Sequence, residues 1–209
     1  MAARENKGKF VVVEGLDGSG KSTQASCIFE YLARSEAKLK FGHRGAHLTR
    51  EPTAGMIGGL IRSQLAHEWK SSRECLQLLF AADRAYHLEK EILPLLAKGV
   101  TVVSDRYFIS SCAYGSAVPK DIGWFLEVNK KFLVPDLTFY IDVSPKVCLK
   151  RIHGDRLQTT IFEKEKELER VRKNYLIVMK KFRNIVVVNG ERPVDVITSD
   201  IISSLAKYL

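Results

Sequence analysis

Four short runs of consecutive apolar, mostly β-branched residues punctuate the chain: Lys9 to Glu14, Val100 to Asp105, Leu137 to Val143 and Ile185 to Asn189. Unbroken apolar runs of this length fit strands covered on both faces, as in a parallel sheet. A fifth strand is expected between Leu39 and Thr49, where the pattern is weaker. Between the runs, apolar residues recur at helical spacing near 21–35, 73–98, 120–132, 145–151, 163–183 and 193–208. In the first of these the stripe is Ala25, Ile28, Phe29, Leu32 and Ala33, and in 163–183 it is Leu168, Val171, Tyr175, Val178 and Phe182, which reads as packing. Helix 73–98 ends with Lys98 and Gly99, suited to a helix C-terminus, and Pro94 is expected to kink it or split off its last turn. Strands alternating with helices predict an α/β fold of three layers, a five-stranded parallel sheet flanked by helices. Ligands of such sheets bind beyond the carboxyl ends of the strands.

The chain has 209 residues, 45% hydrophobic and 27% charged, enough to bury a substantial core. Nothing resembling a linker, repeat or low-complexity tract divides it, so one domain over 1–209 is expected. The N-terminal residues Met1 to Lys7 carry no apolar signal region, and no apolar run reaches membrane-spanning length, which points to a cytoplasmic protein without a membrane partner. Cys27, Cys75, Cys112 and Cys148 are far apart, so neither a zinc site nor a disulfide framework is expected. The net charge of +9 suits either nucleic acid or convergence of basic side chains on phosphates of small substrates. The charges are dispersed rather than packed in one tail, which favours small anionic ligands.

The first strand runs into Gly15-Leu16-Asp17-Gly18-Ser19-Gly20-Lys21-Ser22, with Thr23 next. This fits G-x-x-x-x-G-K-[ST], a phosphate-binding P-loop, and the strand before it and helix after it supply the required context. Its backbone N–H groups would wrap a polyphosphate, Lys21 would reach the β/γ-phosphates, and the Ser22 hydroxyl would ligate Mg²⁺. Asp105 ends a second strand, where an acid suits Mg²⁺, and Arg106 beside it offers a donor fork for phosphate. The P-loop, Arg50 and Asp105-Arg106 should therefore meet on one edge of the sheet. Arg50 in Thr49-Arg50-Glu51-Pro52-Thr53 is either a phosphate ligand, its guanidinium oriented by Glu51, or half of an exposed ion pair. Arg151, His153 and Arg156 belong to a polar, basic, glycine-containing stretch that is either a mobile lid closing over a transferring phosphoryl group or a solvated loop. Phe80 and Arg84 share a helix face. They are either a base stack with a donor fork, suited to a base with a carbonyl such as thymine O4, or a core ring beside a surface arginine.

Together these segments resemble thymidylate kinases. The motifs occur in family order: the P-loop extended by Glu14 and Gln24, then Thr49-Arg50-Glu51-Pro52-Thr53, Phe80-Ala81-Ala82-Asp83-Arg84, Ser104-Asp105-Arg106-Tyr107, Ser110-Ser111-Cys112-Ala113-Tyr114 and Pro135-Asp136-Leu137-Thr138. The resemblance runs from about Phe10 to the C-terminal helix. It implies a P-loop NTPase fold with a lid at about 151–166, a homodimer, and Mg²⁺-assisted transfer of the ATP γ-phosphate to dTMP. By position, Arg50 and Arg106 look like ligands of the dTMP phosphate, Phe80 like the thymine stack and Arg84 like its donor. Asp17 looks like the acid near the sugar 3′-hydroxyl, and Ser111 and Tyr114 like pocket walls. A P-loop without an internal basic residue, as here, resembles members whose lid supplies the catalytic arginine, which makes Arg151 and Arg156 the candidates. The chain departs from the family's frequent Ala-Tyr-Gln-Gly in reading Ala113-Tyr114-Gly115-Ser116.

Three rival readings stand beside this one. A kinase of another nucleoside monophosphate shares the P-loop. A GTPase switch needs N-K-x-D, whereas Asn129-Lys130-Lys131-Phe132 lacks the acid. A nucleic-acid-stimulated ATPase would use the charge.

Overall fold

The computed structural model describes residues 8–116, 121–154 and 161–208. Five strands form one sheet: β1 (Phe10–Gly15), β2 (Gly45–Arg50), β3 (Val100–Asp105), β4 (Leu137–Asp142) and β5 (Ile185–Asn189). They are all parallel, in the order β2-β3-β1-β4-β5. The three central strands are almost wholly buried, which is why they read as continuous apolar runs. Strand β2 is an edge strand of intermediate burial, and its pattern is correspondingly faint.

Ten α-helices are described: α1 (Lys21–Ala33), α2 (Ser35–Phe41), α3 (Met56–Leu65), α4 (Arg73–His87), α5 (Leu93–Ala97), α6 (Phe108–Gly115), α7 (Ile122–Asn129), α8 (Pro145–His153), α9 (Ile161–Met179) and α10 (Val194–Tyr208). The expected helix 73–98 is divided: a π-helical segment, Leu88–Ile92, joins α4 to α5, and Pro94 follows it in the first turn of α5, where its missing N–H removes one bond from a backbone that stays helical on both sides. Helices α2, α3 and α6 were not foreseen. The last is buried on nearly every face, so it carries no amphipathic period. The stripe on α9 packs as expected, with Val171, Tyr175 and Val178 inside the core. None of the described helices is long and apolar enough to cross a membrane.

Glu14 lies inside this core and joins three elements, β1, α6 and α9. Its Oε1 accepts from the backbone N–H groups of Tyr107 (3.0 Å) and Ser110 (3.1 Å) at the start of α6. Oε2 accepts from the Ser110 hydroxyl (2.5 Å) and the Tyr175 hydroxyl of α9 (3.1 Å). Burial raises the pKa of Glu14, an effect the Ser110 bond and the charge of Arg106 only partly offset. Glu14→Leu strands two buried N–H groups, and unfolding in urea should show a loss of about 3 kcal/mol or more. Glu14→Gln keeps an acceptor for those groups and should lose less. A raised acid contributes stability below its ordinary value of 4.5 and loses it as pH rises through the raised value. The stability of Glu14→Gln should therefore gain on the wild type as pH increases.

Candidate active site

The glycines of the loop after β1 are demanded by space and conformation. Gly18 has φ 81°, and a Cβ there would stand 2.5 Å from the Cys148 carbonyl oxygen. Gly20, at φ 90°, is the N-cap of α1, with no side-chain cap and open space where a Cβ would point. No acid occupies the first turn of α1, so its positive end is left for an external anion. The Leu16 side chain belongs to the core, and only its backbone joins the loop. Buried Lys21 donates to the Leu16 carbonyl (3.4 Å) and to Asp17 Oδ1 (3.3 Å). Burial, reinforced by the charge of Arg106, lowers the pKa of Lys21, while Asp17 and Asp105 partly restore it.

Register puts the second motif beside the first. Val13 pairs with Asp105 across β1 and β3, and Arg50 with Asp105 across β2 and β3. The Ser22 hydroxyl donates to Asp105 Oδ2 at 2.5 Å. Asp105 Oδ1 is buried and has no hydrogen-bond partner. Arg106 adopts φ 75°, a conformation rare for a residue with a side chain. It is secured by its N–H on the Val13 carbonyl (2.9 Å) and by the Ser104 hydroxyl on its own carbonyl (2.8 Å). So turned, its guanidinium bonds Asp17 Oδ1 and Ser110 Oγ and lies 5.1 Å from the centre of the Tyr114 ring. The Tyr114 hydroxyl accepts from Asp17 N–H (2.9 Å) and donates to Asp17 Oδ2 (3.2 Å). Burial works to raise the pKa of Asp17, but Arg106 and Lys21 outweigh it and hold the acid ionised.

A cavity of about 480 Å³ opens beside this cluster. Asp17, Phe80, Arg84, Arg106, Ser111 and Tyr114, which the sequence singled out separately, all line it. Phe80 is half-buried at its wall rather than sealed in the core. Arg84 is neither a free fork nor a surface residue: it is 1% exposed. It donates to Asn129 Oδ1 (2.5 Å), Glu51 Oε2 (2.6 Å) and Ser111 Oγ (2.9 Å), leaving Nε without a partner. Glu51 therefore orients Arg84, not Arg50 as expected. Adjacent residues at a strand end point to opposite sides, so Glu51 turns inward while Arg50 is exposed. Arg50 ends β2 next to Asp105 and is not among the lining residues of the cavity.

A second cavity of about 250 Å³ lies behind the loop, bordered by Ser19, Gly20, Thr23, Arg151 and Arg192. Arg151 sits on α8, donating to the carbonyls of Ser19 (3.2 Å) and Gly190 (2.9 Å). Residues 155–160 of the expected lid, Arg156 among them, lie outside the described residues; of the rest, 151–153 end α8, Gly154 caps it and 161–166 begin α9. Burial pushes the Cys112 thiol up to about 12 and the Cys148 thiol up to about 11, away from the thiolate form.

Several participants have no role assigned from the sequence. Besides Glu14, Asp83 holds the turn after β2, accepting from Thr53 N–H (2.8 Å) and its hydroxyl (2.7 Å). His87 bonds Glu51 Oε1 (3.3 Å) and the Thr49 hydroxyl (2.8 Å) behind Arg84. The helical spacing of Asp83, Arg84 and His87 on α4 was legible, but not the partners, which come from distant segments.

Comparison with known proteins agrees with this geometry. Residues 13–201 match the family described as Thymidylate kinase. The chain is 41% identical over 205 residues to a protein of Pyrococcus horikoshii named probable thymidylate kinase, covering 94% of this chain and 95% of that one. Proteins of the same name from Thermococcus gammatolerans and Staphylothermus marinus are 39% and 37% identical, the first covering 93% of this chain and 94% of its own, the second 98% of each. A phosphate loop, an Asp-Arg strand end and a ring-and-guanidinium cavity, matched over nearly the whole length, show that the chain belongs to the thymidylate kinase family.

Proposed function

We propose that the protein transfers the γ-phosphate of ATP to dTMP, giving dTDP and ADP. One observation carries this reading: the cavity walled by Phe80 and Arg84 opens onto the same cluster, Asp17 and Arg106, that borders the phosphate loop. An acceptor base seated there would direct its phosphate toward the nucleotide tail on Gly15–Thr23. Phe80 would stack the thymine, the remaining Arg84 donors would face O4, and Ser111 and Tyr114 would wall base and sugar. Arg106, and Arg50 if its exposed side chain swings inward, would take the acceptor phosphate. Asp17, held ionised, would accept from the sugar 3′-hydroxyl.

The transfer is in-line and leaves no covalent enzyme intermediate. An oxygen of the dTMP phosphate forms the new bond to Pγ as the bond from Pγ to the bridging oxygen of ADP breaks. The acceptor is already ionised, so the protein needs to position it and neutralise charge rather than withdraw a proton. Lys21 and the first-turn N–H groups of α1 bind the donor tail; Arg106 bridges the two phosphates. Arg151, anchored on the loop carbonyl of Ser19, borders the second cavity and supports the donor side, and Arg156 is the candidate for the arginine that closes on the transferring group.

The residues around Ser22 fit Mg²⁺. Asp105 Oδ1 is a buried, unpartnered hard oxygen, with the Ser22 hydroxyl beside its twin. Among the described residues no cluster of three or more His, Cys, Asp or Glu side chains gathers, so phosphate oxygens and water would complete the shell. The ion, when bound, offsets phosphate charge. A single domain over 1–209, a homodimer and a cytoplasmic location belong to the same reading, the first supported by one continuous hydrophobic cluster.

A coupled ADP-release assay with dTMP, dUMP, dCMP, dGMP and AMP should give the highest kcat/KM with dTMP. Preference for a cytosine or adenine acceptor would contradict it, as would ATP hydrolysis stimulated by nucleic acid and indifferent to monophosphates. Lys21→Ala should lower kcat by about 10²–10³-fold or more with the melting temperature retained; wild-type turnover would refute its role. Glu51→Ala leaves the buried Arg84 charge without its counter-ion and should destabilise the fold by about 3–5 kcal/mol, read by denaturant unfolding.

A further inference from the structure

Recognition of a thymine edge is incomplete in the site as described. The imide edge presents a donor, N3–H, between two acceptors, O2 and O4. Arg84 supplies donors only, and three of its five N–H groups are already committed to Asn129, Glu51 and Ser111. The N3–H needs an acceptor. Glu51 already accepts from Arg84 and His87, Asp17 from Arg106, Lys21 and Tyr114, and Ser111 from Arg84, so each of these acceptors is at least partly engaged within the protein.

Gln77 lines the same cavity and is 6% exposed, and its Oε1 is buried without a hydrogen-bond partner. It precedes Phe80 by three residues and Arg84 by seven, so α4 presents all three on one face. The backbone opposite makes room for it. A Cβ on Gly115 of α6 would stand 2.9 Å from Gln77 Cδ and 2.5 Å from the Phe125 ring, so a glycine there is what lets the carboxamide occupy the wall. Among the buried side-chain oxygens of the lining, Tyr107 Oη is also unpartnered, but it belongs to a ring packed on Phe10, Phe108 and the Arg84 guanidinium, and its pKa is raised by burial and by the charge of Glu51, which places it at the Arg84 end.

We propose that Gln77 is a specificity-determining residue that reads the imide edge of the acceptor base: Oε1 accepts N3–H and Nε2 donates to O2, while Arg84 donates to O4. A carboxamide oxygen left unpaired in a buried wall is costly, and pairing it with this edge converts that cost into selectivity. Cytosine fails at both ends. Its amino group meets Arg84 donors, and its N3 and O2 are both acceptors, which one carboxamide cannot satisfy together.

This inference rests on the thymidylate kinase reading, and its test separates the two. Steady-state kinetics on the full chain compare the wild type with Gln77→Met, which keeps the shape and removes both polar atoms, using dTMP and its N3-methyl derivative. The wild type should use N3-methyl dTMP about tenfold or more less efficiently than dTMP. Gln77→Met should raise KM for dTMP by about tenfold, leave KM for ATP within about twofold, and treat the two acceptors alike. A KM for dTMP unchanged in Gln77→Met overturns the role of Gln77 while the kinase reading stands. Equal use of the two acceptors by the wild type overturns it without any variant, which covers the case of a Gln77→Met protein that does not fold. A wild type inactive on dTMP but active on another acceptor overturns both.

Discussion

The bonds from Glu14 to the start of α6 are the constraint on which the site depends. One carboxylate, delivered by the last turn of the central strand, satisfies the two N–H groups that open the helix and two hydroxyls besides. A helix whose first turn is buried must find such acceptors, and none of its own side chains provides a cap. Because β1 also feeds the phosphate loop, the same strand fixes both halves of the cleft. Ser110, Ser111, Tyr114 and Gly115 project from α6 into the cavity, and Arg106 immediately precedes it. The burial cost at Glu14 is the counterpart of that rigidity.

Charge is arranged around this frame in opposition rather than in simple excess. The charge of Arg106 disfavours that of Lys21, and both share Asp17 as a counter-ion. In the proposed reaction each substrate would exchange such an internal contact for its own, Asp17 yielding to anionic oxygens and the Ser22–Asp105 bond to a cation, which would limit the cost of holding buried cations beside one another. The dispersed positive charge of the chain fits a cluster assembled from several strand ends better than a continuous basic face for nucleic acid.

Arg84 shows the same economy further in. Its guanidinium is buried, yet Glu51, Asn129 and Ser111 neutralise and aim it, and His87 with Thr49 steadies Glu51 from behind. A charge so completely committed has few donors left for a base, which is why the neutral carboxamide on the same helix face matters to the proposed recognition.

The sequence alone determined the layer architecture, because strands buried on both faces must be continuous apolar runs, and it determined the phosphate loop, because only that glycine spacing permits its left-handed turns. It also brought Asp105, Arg106, Phe80 and Arg84 into view, since strand ends and helical spacing are local. It was silent about α6, whose burial on all sides erases periodicity, and about α3, where Gly58 is pressed against the Thr53 backbone and its lack of a side chain reads as weak helix. It gave Glu51 the wrong partner because neighbours in sequence seemed closest, whereas the pleat sends them apart and the fold brings in an arginine from a distant helix. Pairings between buried polar groups are decided by which elements the core forces together, and that information resides in the packing of the whole chain rather than in any segment of it.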